Sequence, residues 1–115
     1  MKKSYKIITY LIIVIGFVHI SVTPAIFNQF TMQVGWFIGV GLLAFTLGFL
    51  NIANWRSNDD LLIRRLTIGA NMATVFWGVM NLFVDKSPQG YLIVALFTYL
   101  ALASYVVGKE SAQKK

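Results

Sequence analysis

Residues 16–24 read Gly16-Phe17-Val18-His19-Ile20-Ser21-Val22-Thr23-Pro24, and they close the first long apolar run of the chain with its only histidine. Residues 7–23, counted back from that proline, are mostly apolar and just long enough to cross a hydrocarbon core of roughly 30 Å at about 1.5 Å per residue. Three further runs follow over residues 36–53, 66–84 and 91–107. Charged residues make up 12% of the 115, about half the share of roughly a quarter in soluble domains, while hydrophobic residues make up 57%. A soluble domain of this length has no interior large enough for four such runs. The pattern predicts an all-α polytopic membrane protein, with residues 1–115 forming one transmembrane domain, a compact antiparallel four-helix bundle.

The charges set an orientation. Lys2, Lys3, Lys6, Arg56, Arg64, Arg65, Lys109, Lys114 and Lys115 fall on one side of such a bundle, and Lys86 alone on the other. Basic residues in short loops stay cytoplasmic, so both termini are expected on the cytoplasmic side. The net charge of +6 is thereby a feature of topology, and nucleic acid is not an expected partner. The chain has no cysteine, which rules out disulfides, thiolate metal sites and cysteine redox chemistry.

Local signals divide the runs. A basic head before an apolar stretch also describes a signal peptide, but Pro24 lies beside the nearest cleavage-like sequence, and a retained helix is expected. Pro24 ends or bends that helix. Residues 25–34 carry no charge and mix Phe27, Phe30 and Met32 with Asn28, Gln29 and Gln33, the composition of a segment lying at the membrane interface, either a lid or a tight connection. Trp36 and Trp55 bracket the second run as interfacial aromatics do. Gly35 and Gly39 are four apart, and Gly41 and Gly48 are a heptad apart. Such spacings permit close helix approach, within the chain or in a homodimer. Ser57 and Asp60 have capping-box spacing, with Asp59 beside them, and Ser87-Pro88 suits a helix start.

Small and polar residues recur at 3-4-3-4 spacing, which puts them on one face of each helix. The stripes are Thr9, Ile12, Gly16, His19 and Thr23; then Gly41, Ala44, Gly48, Asn51 and Trp55; then Thr67, Asn71, Thr74, Gly78, Asn81 and Asp85; then Thr98, Ala101, Tyr105 and Gly108. The seven-residue repeat matches a left-handed bundle. Polar groups in hydrocarbon need partners, so the stripes are expected to face inward. Depth sorts them into an outer cluster of His19, Thr23, Asn81 and Asp85 and an inner one of Thr9, Asn51, Asn71 and Tyr105.

His19 has two readings. As a functional group it would be a proton relay, a metal or haem ligand, or a donor to a bound molecule. As a structural one it would be a neutral imidazole bonded to Asn81, Thr23 or a backbone carbonyl. A lone histidine without cysteine or an intramembrane carboxylate is a poor metal site, and neither metal nor cofactor is expected. The first run lacks the carboxylate on which small multidrug exporters depend, and the loop charges are too uneven for dual-topology fluoride channels. No phosphate-cradling glycine loop, HExxH motif or nucleophile–base pair is present.

Gly16-x-x-His19, Thr23-Pro24, Trp36-Phe37-x-Gly39-x-Gly41-Leu42 and Gly48-x-x-Asn51 resemble a pattern in small, uncharacterised four-helix bacterial membrane proteins, and the chain is more loosely similar to DoxX-like proteins. The resemblance covers the first half and implies an inner-membrane bundle without assigning catalytic residues. Three functions are open. One is a non-enzymatic accessory protein acting on the envelope or on another membrane protein. Another is a binder or carrier of a small amphipathic molecule such as a lipid, quinone or sterol-like compound, with His19, Thr23, Asn81 and Asp85 at its mouth. The third is an enzyme with His19 as general base and Asp85 as its partner.

Overall fold

The structure is a computed structural model that describes residues 1–57, 60–84 and 86–113, with side chains as far as Lys109. The described residues form helices and their connections, with no strand among them. The helices are α1 (Lys2–Ser21), α2 (Thr23–Ile26), α3 (Met32–Arg56), α4 (Leu61–Leu82) and α5 (Pro88–Gln113). Three are long and apolar enough to cross a membrane: α1, α3, and α5 over Pro88–Lys109. Helix α4 has the length, at 22 residues, but falls short in apolarity because it carries Arg64, Arg65, Asn71 and Asn81. The expectation of four apolar spans therefore holds for three, and the fourth helix is a more polar element.

The ends of the helices follow from their capping chemistry. Pro24 does not bend α1, which stops at Ser21; it occupies the first turn of the short α2, where its missing N–H costs nothing. Thr31 caps α3 by accepting from the Val34 N–H at 3.4 Å. The expected Ser57/Asp60 box is replaced by two separate caps. Ser57 Oγ donates back to the Asn54 carbonyl at the end of α3, whereas Asp60 is itself the N-cap of α4 and accepts from the Leu62 and Ile63 N–H groups at 2.9 and 3.1 Å. Asp59 lies outside the described residues. At the start of α5, Ser87 Oγ accepts from the Gly90 N–H at 3.3 Å, and Pro88 is the first helical residue.

Packing joins α1 closely to α3 and α4 to α5; the seam between α3 and α4 is looser. The α1/α3 contact rests on missing side chains. A Cβ on Gly16 would lie 2.8 Å from the Gly41 carbonyl oxygen and 3.1 Å from Ala44 Cβ, and one on Gly48 would strike Ile13. Backbones can approach this closely only where small residues meet, the usual basis of helix association in lipid. Gly78 plays the same part against Val94 between α4 and α5, at 2.9 Å. The core holds Tyr5, Ile12, Leu47, Phe97, Leu100, Ala103 and Val107. Outside it, Ile7, Val14, Phe17, Leu42, Phe49, Met72, Phe76 and Leu102 stand exposed, an apolar surface far larger than water tolerates on a monomer.

Candidate functional site

Polar side chains gather in two places along the 54 Å length of the molecule. The first lies toward the end that carries Lys2, Lys3, Lys6, Arg56, Arg64 and Arg65. There Tyr5 Oη donates to Asn51 Oδ1 at 2.6 Å and accepts from Asn54 Nδ2 at 3.1 Å. Asn51 and Asn71 exchange reciprocal amide bonds of 3.1 and 3.0 Å, and the second Asn51 hydrogen goes to the Leu47 carbonyl at 2.7 Å. Asn71 Nδ2 also reaches Ser104 Oγ at 3.3 Å and the Leu100 carbonyl at 3.4 Å. Ser104 Oγ in turn donates to the Ala101 carbonyl. The chain of bonds thus ties α1, α3, α4 and α5 together. Tyr5, Asn51, Asn71 and Ser104 are all fully buried. Nearby, Arg64 Nη1 donates to the Gly108 carbonyl at 2.7 Å, and Lys6 Nζ sits 5.8 Å from the centre of the Trp55 ring.

Of the residues expected in the interior, Thr9, Gly16, Gly48, Asn51, Asn71, Thr74 and Gly78 are buried. The threonine hydroxyls satisfy themselves within their own helices, Thr9 on the Tyr5 carbonyl at 2.8 Å and Thr74 on that of Ala70 at 2.8 Å. Tyr105 is a correction. It is 56% exposed, because the inner face of α5 follows Phe97, Leu100, Ala101, Ser104, Val107 and Gly108. One residue is about 100° of helix, so the side chain after Ser104 turns outward.

The second place is a cavity of about 770 Å³ at the opposite end, lined by His19, Gln33, Trp36, Phe37, Trp77, Asn81, Ser87 and Gln89 among others. His19 lies near-parallel to Phe37, ring centres 3.7 Å apart with planes at 19°, and Phe27 packs against Phe37 edge-to-face. His19 Nε2 is buried and has no hydrogen-bond partner among the described residues. The expected outer cluster is only partly assembled. His19 and Asn81 share the cavity, but Asn81 is exposed and its amide nitrogen donates to the Trp77 carbonyl at 2.8 Å. Thr23 is buried outside the lining, and its hydroxyl donates to the backbone carbonyl of His19 at 2.9 Å, not to the ring. Asp85 lies outside the described residues, and so does its pairing with His19 as base and acid.

Sequence reasoning missed Tyr5, Asn54 and Ser104 in the network, and Trp77 and Gln89 in the cavity. The signal for Tyr5 was present: it lies four residues before Thr9 and prolongs that stripe, but it is flanked by Lys3 and Lys6 and so was grouped with a solvated head. Trp77 stands between Thr74 and Asn81 at the spacing of the α4 stripe, but an indole is neither small nor strongly polar and gives no signal of that kind.

A cavity of this volume falls within the roughly 300–1,000 Å³ of small-molecule sites, with the mix of aromatic walls and few polar groups typical of them. Compared with family models, with curated proteins and with solved structures, the chain matches none, so the chemistry of the site rests on its own residues.

Proposed function

We propose that this chain is a four-helix membrane bundle with both termini on the cytoplasmic side of a bacterial inner membrane, and that it binds a small amphipathic molecule in the cavity beside His19. The observation that carries the reading is that His19, which lines this cavity, holds a buried Nε2 with no hydrogen-bond partner among the described residues. An unsatisfied polar atom in a protein interior costs about 1–3 kcal/mol, a cost that a hydrogen-bonding ligand removes. The apolar sides of α1, α3 and α5 and the concentration of basic residues at one end support the membrane placement. Helix α4, the most polar, would be shielded by its packing against α5 and α3.

Native mass spectrometry of the protein, extracted gently from its own membrane, tests the reading. A bound small molecule that is retained by the parent chain and lost from His19→Ala is expected. A bare bundle in both, or one held by a stoichiometric protein partner or a second copy, would instead assign the chain to the accessory class and leave His19 as packing.

A further inference from the structure

The cavity beside His19 is not closed toward the lipid. A second hollow of about 410 Å³ runs along the seam between α3 and α4, lined by Trp36, Gly39, Val40, Leu43, Ala73, Thr74 and Trp77. It shares Trp36, Val40 and Trp77 with the cavity, so the two spaces meet at one aromatic and aliphatic rim. The seam is packed more loosely than the α1/α3 and α4/α5 contacts, and Trp36, Gly39 and Ala73 along it are exposed. A Cβ placed on Gly39 would meet nothing within 4 Å. This glycine therefore serves no close helix contact, unlike Gly16, Gly41 and Gly48. It keeps a trough open.

The linings of the two spaces differ in chemistry. The cavity offers the His19 imidazole and the side chains of Gln33, Asn81 and Gln89, and no charged side chain among the described residues. The trough offers almost nothing but carbon: Thr74 is its one polar side chain other than the indoles, and that hydroxyl is already bonded to the Ala70 carbonyl. A head that exchanges hydrogen bonds but carries no charge fits the first, and a flexible hydrocarbon tail fits the second. Resting on the cavity reading above, we infer that the α3/α4 seam is a lateral entrance for a neutral single-chain amphiphile. Its tail lies against Gly39, Leu43 and Ala73, and its uncharged head accepts or donates at His19. The tail reaches the trough directly from the bilayer, so the molecule need never enter water.

The trough can be blocked without touching the head site. Gly39→Leu adds a side chain into open space and should leave the fold intact, whereas it fills the place of the tail. Gly69→Leu is the control, since Gly69 is also exposed, with nothing within 4 Å of a Cβ, and lines neither hollow. The probe is monooleoylglycerol brominated on its chain, titrated at a few mole per cent into phosphatidylcholine vesicles holding the full-length protein. Trp36 and Trp77 report its arrival by fluorescence quenching, in a Trp55→Phe background. Saturable quenching above the level of bulk brominated lipid is expected in the parent and in Gly69→Leu, weakened at least 10-fold in Gly39→Leu. Equal saturation in Gly39→Leu would overturn the entrance and leave the cavity reading standing. Loss in Gly39→Leu with full binding in His19→Ala would uphold the trough and remove His19 as the head contact. Competition by phosphatidylglycerol as strong as by unbrominated monooleoylglycerol would overturn the neutral head. Absence of saturable quenching in the parent would end both proposals.

Discussion

Replacing Asn71 by leucine separates the scaffold of this protein from its candidate site. The substitution deletes the reciprocal pair with Asn51 and the bonds to Ser104 and the Leu100 carbonyl. Most of the abandoned groups keep a partner. Asn51 Oδ1 still accepts from Tyr5, one Asn51 hydrogen still goes to Leu47, and Ser104 still donates to Ala101. A single buried N–H of Asn51 is orphaned, at about 1–3 kcal/mol on the scale of buried hydrogen bonds. Interhelical hydrogen bonds in membranes average ~0.6 and reach ~1.7 kcal/mol, because the unfolded chain in lipid also finds partners. Leucine keeps the volume, so a loss of about 1–2 kcal/mol is expected. Asn51→Leu alone takes the donor from Asn71 Oδ1, while Asn71 Nδ2 keeps Ser104 and the Leu100 carbonyl, and it removes the acceptor of Tyr5. The double variant carries neither amide and should cost no more than Asn51→Leu, a coupling of about 1 kcal/mol. Reversible unfolding in bicelles, followed by helicity, measures all four corners of the cycle. Additive losses would refute the reciprocal pair. Loss of the bound small molecule in a folded Asn71→Leu variant would refute the separation of scaffold from site.

Glycine-to-alanine substitutions should split by position. Gly16→Ala drives a Cβ to 2.8 Å from a backbone oxygen and should destabilise by about 1–3 kcal/mol, whereas Gly69→Ala meets nothing and should gain up to about 1 kcal/mol from helix propensity; the same unfolding assay ranks them. The orientation is checked with single cysteines, for which the chain supplies a cysteine-free background. A cysteine at Lys86 should react with a membrane-impermeant maleimide added outside intact cells, and one at Ser57 only after lysis; the reverse pattern would invert the bundle. His19→Leu should leave the bundle as stable or raise its stability by roughly 1 kcal/mol, because it removes a buried nitrogen without a partner and keeps an apolar contact with Phe37. A marked destabilisation would show that the imidazole holds the fold.

The parts of the fold that were legible in the sequence are those governed by period and by lipid. Helix faces could be read because a polar or small residue in hydrocarbon must turn inward, and Thr9, Gly16, Gly48, Asn51, Asn71 and Gly78 do so. The helix at residues 61–82 was legible as a helix, but its arginines and asparagines keep it from the apolarity of the other three. Partner choice was harder. Spacing places Asn51 and Asn71 at similar depth but does not say that they bond each other, nor that Tyr5 joins them across 46 residues of chain. The failure at Tyr105 has the same root, since a stripe extrapolated at heptad spacing drifts by tens of degrees and one residue's error turns a side chain to the other face. Thr23 and His19 are four apart on one face, yet a hydroxyl at that spacing finds the backbone carbonyl before it finds the ring.

The two polar regions obey opposite rules, and the difference is informative about function. Toward the basic end the bonds between α1, α3, α4 and α5 use nearly every donor the buried side chains possess, and the helices are fixed there. At the other end the glycine contacts that close α1 on α3 and α4 on α5 hold each pair together, while the α3/α4 seam between the pairs parts around Trp36 and Trp77. A bundle selected for stability alone would fill that space with leucine and bond or delete His19. Retaining His19 with its buried Nε2 unpartnered costs stability, and the costs that folds retain at such places are commonly the ones a ligand removes.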